Sequence, residues 1–225
     1  TTPTATSGEA PGAGIEIIVG ANNSLQAVAY QAGDYTLERA TGPALKFTVP
    51  AIPFLQDIDG PWQIAFPANS GAPATTTVNA LTSLTDNLNP AIKYFSGTAT
   101  YSKDFTVSAD ALKANRHLTL DLGIVADLAQ VTLNGKVVGT VWQSPYAIDI
   151  SKFAQAGSNH LEVAVTNTWH NRLVAFVQSP DVFAAPGVEQ LWASVWPGYG
   201  PGEGLYPAGL IGPVTLRQAA VVTVH

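Results

Sequence analysis

Residues 131–172 read VTLNGKVVGTVWQSPYAIDISKFAQAGSNHLEVAVTNTWHNR. They hold strand patterns, turns and a cluster of aromatic and amide side chains. Asn134-Gly135 joins Val131–Leu133 to Val137–Val138, because Asn and Gly together tolerate the positive φ angles of a tight type I′ hairpin. Trp142-Gln143-Ser144-Pro145-Tyr146 follows, then Ile148-Asp149-Ile150, a turn at Gly157-Ser158-Asn159 and the alternating strand Leu161 to Asn167. Nothing in this run has the pattern of a catalytic motif. It is a scaffold that presents polar and aromatic groups at its edge.

The same alternation extends outward in both directions. Trp62, Ile64 and Phe66 fall on one face of a strand, and further strands are expected at Thr76–Val78, Gly97–Phe105, His117–Leu122, Ala126–Leu133, Lys136–Val141, Tyr146–Ile150, His160–Asn167 and Val214–Val222. Short antiparallel strands separated by Gly, Asn, Asp and Pro turns make an all-β sandwich or jelly roll. Helix signals are few: Ser108 caps one helical turn up to Lys113, and Asp149–Ala156 has room for another. Upstream, Ile15–Val19, Leu25–Tyr30, Gly33–Arg39 and Leu45–Val49 read as four short strands, too few for a compact unit. Pro50 and Pro53 cannot donate ladder hydrogen bonds and mark the boundary. The expected organisation is a disordered tail over 1–14, which lacks periodicity and apolar bulk, a small partial β-unit over 15–53 and a jelly roll over 54–225.

The chain has 225 residues, enough for a full core, with 12% charged residues and a net charge of -6. No Lys/Arg cluster is present to neutralise phosphates, which excludes nucleic acid and an anionic membrane surface as partners. No apolar run approaches the roughly 18 to 20 residues of a spanning helix. Cys and Met are absent, so no disulfide framework or thiolate metal site is possible. An opening Thr-Thr-Pro-Thr without Met reads as excision from a longer protein. Thr, Ser, Ala, Gly and Pro abundance with few Lys fits a secreted or periplasmic bacterial protein.

The order of the pieces Tyr94–Phe105, Leu120–Gly123, Val131–Lys136, Pro145–Ile150 and Asn159–Asn167 resembles the sugar-binding-type sandwich of family 2 glycoside hydrolases, the galactose-binding-like jelly roll. Gly60-Pro61-Trp62, Lys93–Gly97, Asn171-Arg172-Leu173 and Gly209–Val214 also look like the C-terminal region of family 106 α-L-rhamnosidases, over roughly residues 43–218. This resemblance implies that catalysis belongs to carboxylates on a separate (β/α)8 barrel, absent from this chain, and that the jelly roll is ancillary. The first fifty or so residues would then be the tail of a preceding β-domain.

Sugar binding needs flat aromatic faces for pyranose C–H surfaces, and amides, carboxylates or Arg for the hydroxyls. The candidate carbohydrate-binding set is Trp142, Tyr146, Asn167, Trp169, Asn171 and Arg172, with Trp192, Trp196, Tyr199 and Glu203 from the late Gly/Pro/aromatic loop. His170 and Tyr206 lie beside them. The competing reading is a lid, or a face packed on the missing barrel, and Trp62 and Trp169 are expected in the core or at its rim. Arg172 has an alternative role as an internal ion pair with Asp121 or Asp181. The ligand that the resemblance implies is a plant-type, rhamnose-containing oligosaccharide.

An enzyme reading needs two carboxylates flanking a scissile bond. Among the 16 acidic residues, Glu203 is the least dismissible; Asp57 and Asp59 lie at a linker, Asp86 in a polar loop, Asp121 and Asp149 at strand ends and Glu162 on the outward face of a strand. No cofactor is expected. The four His lack ligand spacing; the one metal candidate is implied by the resemblance to the galactose-binding-like jelly rolls, a structural Ca²⁺ at Asp57, Asp59 and nearby backbone carbonyls. Three functions therefore compete: an ancillary module of a rhamnosidase-like glycoside hydrolase, an autonomous carbohydrate-binding module, and a small independent hydrolase.

Overall fold

The computed structural model describes residues 15–20, 23–52, 55–113, 116–178 and 202–224. The tail expected over 1–14 lies outside them. The chain opens with β1 (Ile15–Val19), β2 (Leu25–Ala29), β3 (Gly33–Leu37) and β4 (Leu45–Val49). Next come β5 (Leu55–Asp57), β6 (Trp62–Ala65), β7 (Thr75–Val78), the single turn α1 (Pro90–Lys93) and the long β8 (Thr98–Val107). Then follow β9 (Arg116–Asp121), β10 (Ile124–Ala126), β11 (Leu128–Leu133), β12 (Lys136–Val141), β13 (Ala147–Asp149) and β14 (Gly157–Thr166). Helix α2 (His170–Gln178), β15 (Gly209–Gly212) and β16 (Thr215–Thr223) complete the described elements.

Two antiparallel sheets carry the fold. One runs β12-β11-β14-β8-β6-β7, and the other β1-β2-β16-β9-β13 with β5 alongside the start of β16. Strict alternation puts Ala99, Tyr101, Phe105 and Val107 of β8, Leu161, Val163 and Val165 of β14, and Ala129, Val131 and Leu133 of β11 on one inner face. They share a core with Leu118, Leu120 and Leu216 of the second sheet and with Trp62, Ile64 and Phe95. Full burial of each large apolar side chain contributes about 1.5–3 kcal/mol relative to exposure. The molecule is the all-β antiparallel sandwich that the alternation implies.

The hairpin that anchors the reading is a type I′ turn, with φ of 53° at Asn134 and 74° at Gly135. Its side chain has a second task. Asn134 Nδ2 donates to Phe153 O (3.1 Å) and to Asn159 Oδ1 (2.9 Å), while its Oδ1 accepts from His160 N (2.9 Å). Asn159, almost fully buried, donates to Gln155 O (2.7 Å) and Gly157 O (3.0 Å) and accepts from Gln155 N (2.9 Å). Two amides thus bind the hairpin tip, the turn after β13 and the start of β14.

Several expectations change. The turn expected at Gly157–Asn159 is already strand: pairing starts at Gly157↔Val107, and the Asn159 amide closes the preceding chain reversal. The expected strand Ala126–Leu133 is two strands broken at Asp127, whose carboxylate accepts from Thr168 N at 2.9 Å. The capping Ser108 does start a helical turn, a 3₁₀ turn over Ala109–Leu112, with its Oγ accepting from Ala111 N. Helix α2 was not expected. It forms because His170, Asn171, Leu173, Val174 and Ala175 bury one broad face at i, i+3, i+4 spacing, a pattern hidden because its first two members are polar.

The small β-unit over 15–53 is not separate in its hydrogen bonding. β2 pairs with β16 from Ala29↔Ala220 to Gln26↔Thr223, so the last strand of the chain is shared. Hairpin β3–β4 forms its own two-stranded sheet. A second, small apolar cluster joins Ala29, Val49 and Ala220, with Ile15, Tyr35, Phe47, Ile52 and Val222 packed on it. The boundary residue Pro53 lies outside the described set.

Candidate functional site

Strand register brings the aromatic candidates to one end of the first sheet. Val141, just before Trp142, pairs with Ala129, and Ala129 pairs with Val165. Trp142, Leu128 and the Asn167–Trp169 turn therefore sit at the same end. Trp142 is 69% exposed and Trp169 64%. The expectation that Trp169 lies in the core or at its rim is corrected, while Trp62 is fully buried. Leu128 is exposed at this end too, and Ile124, on the neighbouring β10, is exposed as well. Tyr146 stays apart from this exposed group: it packs against the main core, and its carbonyl accepts from Leu122 N at 2.8 Å.

The amides nominated for sugar hydroxyls are committed to backbone. Asn167 Oδ1 accepts from Gly97 N (2.8 Å) and its Nδ2 donates to Phe95 O (2.8 Å), which fastens the end of β14 to the turn before β8. Asn171 is buried on the first turn of α2. Its Nδ2 donates to Tyr206 O (2.8 Å) and its Oδ1 accepts from Tyr206 N (2.9 Å), a two-point grip on one peptide segment.

Neighbouring residues repeat this grip. His170 Nε2 lies 2.8 Å from Gly204 O, and Gln178 Nε2 donates to Glu203 O at 2.8 Å. A carbonyl can only accept, so His170 Nε2 is the donor in this bond. The His170 ring lies flat on Tyr206, with centroids 3.7 Å apart and planes within 2°. Tyr206 is nevertheless 57% exposed. Sequence reasoning missed Gln178, which carries no local signal, because its partner is 25 residues away.

Arg172 is half-buried, its guanidinium 5.7 Å from the Phe176 ring centroid. Burial pulls its pKa below the usual arginine value. The expected ion pair with Asp121 is not formed. Asp121 Oδ2 is held by Arg217 Nη2 at 3.0 Å, and its Oδ1 accepts from Gly123 N. Asp181, Trp192, Trp196 and Tyr199 lie outside the described residues. Glu203 contributes its backbone carbonyl to Gln178. Among the described residues, no group of three His, Cys, Asp or Glu side chains gathers to hold a metal ion.

If the Asn171 grip is structural, Asn171→Ala lowers the unfolding free energy by about 2–3 kcal/mol, since two backbone groups lose their partner. Urea denaturation at unchanged m-value reads this loss. Asn171→Asp keeps the acceptor and recovers part of it. A variant as stable as the parent would show the grip to be dispensable.

Fold and strand-end geometry together define an antiparallel β-sandwich with exposed aromatic side chains at one end of a sheet. Residues 82–192 match the family described as glycosyl hydrolase 2 galactose-binding domain-like. The chain is 35% identical over 202 residues to a Formosa agariphila protein provisionally named a beta-glucuronidase, covering 82% of this chain and 17% of that one. A rhamnosidase from Novosphingobium sp. PP1Y aligns in structure with a TM-score of 0.66 and 33% identity, over 87% of this chain and 21% of the rhamnosidase. The chain carries a glycoside hydrolase 2 galactose-binding-like domain, as the resemblance in its sequence implies. It spans about a fifth of the length of these two relatives.

Proposed function

We propose that the chain is a non-catalytic, ancillary sandwich of a larger α-L-rhamnosidase-like glycoside hydrolase, secreted or periplasmic, whose strand-end face supports the catalytic domain. The observation that carries this reading is the fate of the amides. Asn167 and Asn171 spend both side-chain groups on backbone, while Trp142 and Trp169 stay exposed, as do Ile124 and Leu128. A sugar site needs convergent polar atoms around its rings, whereas a protein-facing patch needs apolar breadth.

The carboxylates support the non-catalytic half. Asp121 is paired with Arg217, Asp149 caps Ser151 and faces His117, Asp104 faces His160, and Asp127 caps Thr168. Two relatives carry the names of different glycosidases; the rhamnosidase-like motifs favour rhamnosides, and rhamnose-containing plant oligosaccharide is the carbohydrate proposed for the parent.

Calorimetric titration of the chain with rhamnose-rich pectic fragments, and assays on aryl rhamnosides and glucuronides, test the proposal. The expected result is no binding at millimolar sugar and no hydrolysis. Micromolar binding abolished by Trp142→Ala or Trp169→Ala would replace it with a carbohydrate-binding module. Hydrolysis lost in Glu203→Gln would replace it with a small hydrolase.

A further inference from the structure

Asn134-Gly135 is the only Asn-Gly pair in the sequence. Asparagine is among the thermally labile residues, because the backbone nitrogen of the next residue can attack its side-chain amide carbon. A following glycine leaves that approach open, since it has no Cβ. Here the surrounding space is open as well: Gly135 is exposed, and nothing stands within 4 Å of where its Cβ would be. The target of the attack, by contrast, is held. Asn134 Nδ2 donates to Phe153 O (3.1 Å) and Asn159 Oδ1 (2.9 Å), and its Oδ1 accepts from His160 N (2.9 Å). These bonds draw the amide toward β14, on the other side of β11 from β12, the strand that Gly135 enters. Attack comes at the face of the amide, and three bonds resist the rotation that would present it.

We propose that Asn134 is a self-modification site whose reaction is gated by this amide knot. When the three bonds open, Gly135 N bonds to Asn134 Cγ and gives up its proton, ammonia leaves Cγ carrying that proton, and a succinimide ring closes. Water then opens the ring at either carbonyl, giving aspartate or an isoaspartyl link, with no oxidant or reductant involved. Neither product fits the knot. A carboxylate at position 134 sets an oxygen against Asn159 Oδ1 and Phe153 O, both acceptors. Asn159 cannot turn its amide round to donate, because its Nδ2 is spent on Gln155 O and Gly157 O and its Oδ1 also accepts from Gln155 N. The isoaspartyl link also adds a methylene to the main chain inside a two-residue turn, which disturbs the Leu133↔Lys136 register. A single opening event thus converts the hairpin tip into a form that does not re-close.

Incubation in mildly alkaline buffer, followed by peptide mapping with isoaspartate detection, tests the proposal. Unfolded in urea, the parent converts at Asn134; folded, it converts about ten-fold or more slowly, because only the open fraction reacts. Folded Asn159→Ala, which removes one acceptor from the amide and weakens the knot, converts about ten-fold or more faster than the folded parent. Asn69-Ser70, whose Asn is exposed and outside the knot, keeps its rate in that variant. Gly135→Ala slows the reaction in urea, where no fold is left to gate it. The converted chain, separated by its added negative charge, melts below the parent. No conversion in urea overturns the proposal, as do equal rates in the folded and unfolded parent, a folded Asn159→Ala that reacts no faster, or a converted chain as stable as the parent. Where Asn159→Ala does not fold, the parent in urea below its unfolding transition takes its place: the rate there rises with denaturant, and a flat rate overturns the proposal.

Discussion

Asn159→Ala is expected to lower the unfolding free energy by about 3–5 kcal/mol, the largest loss for any polar side chain in the sandwich. The residue is almost fully buried, and its amide satisfies Gln155 N, Gln155 O, Gly157 O and the Asn134 side chain at 2.7–3.0 Å. Truncation removes all four bonds together and leaves their partners inside, where each unsatisfied group costs about 1–3 kcal/mol before relaxation. For a chain of this size the thermal midpoint falls by roughly 10 °C. Asn159→Asp keeps the acceptor face and loses the donors to two carbonyls, so it ranks between Ala and the parent. Asn134→Gly, which keeps the positive φ of the turn, isolates the side-chain share of that residue. A calorimetric midpoint for Asn159→Ala within a degree or two of the parent would show that water replaces the amide without penalty.

The importance of Asn159 was not legible in the sequence, although its neighbourhood was. Asn134-Gly135 announced the hairpin because its φ requirement is local, and Trp62–Phe66, Gly97–Phe105 and Leu161–Asn167 announced strands that the structure forms with one face in the core. What failed was non-local. The sharing of β16 by β2 and β9 depends on a register between the two ends of the chain. β5 and β15 are three and four residues long, below the length at which alternation is informative. Helix α2 was masked by the aromatic and amide residues crowded at its start.

The same distinction explains the site. Asn167 and Asn171 were chosen because amides beside aromatics suit sugar hydroxyls, and that chemistry suits a peptide group equally well. Their actual partners, Gly97 and Tyr206, lie 70 and 35 residues away. Asp121 was offered to Arg172, yet β9 and β16 pair Thr119 with Arg217 and thereby bring Arg217 to Asp121 first. Residue type predicted that these groups would be occupied. Only the register could say by what.

Gly123→Ala is expected to cost about 2–4 kcal/mol, by two causes that can be separated. Gly123 follows β9, has a φ of 65°, and bridges Gly212. A Cβ there would stand 2.5 Å from the Gly212 carbonyl and from Pro213 O, backbone atoms that cannot rotate away. The left-handed backbone accounts for about 1–2 kcal/mol of the loss and the overlap for the rest. Gly135 is the internal control, since it has a φ of 74° and nothing within 4 Å of its would-be Cβ. Gly135→Ala therefore loses only the conformational part. The difference between the two variants in urea denaturation measures the contact between Gly123 and the β15 turn. Because β10 pairs with β15, and the segment before β15 carries the Tyr206 peptide gripped by Asn171, Gly123→Ala should also speed hydrogen exchange at Tyr206 N, while Gly135→Ala leaves it unchanged. Equal stability losses in the two variants, with equal exchange at Tyr206, would mean that the Gly123–Gly212 approach does not hold the strand-end face in place.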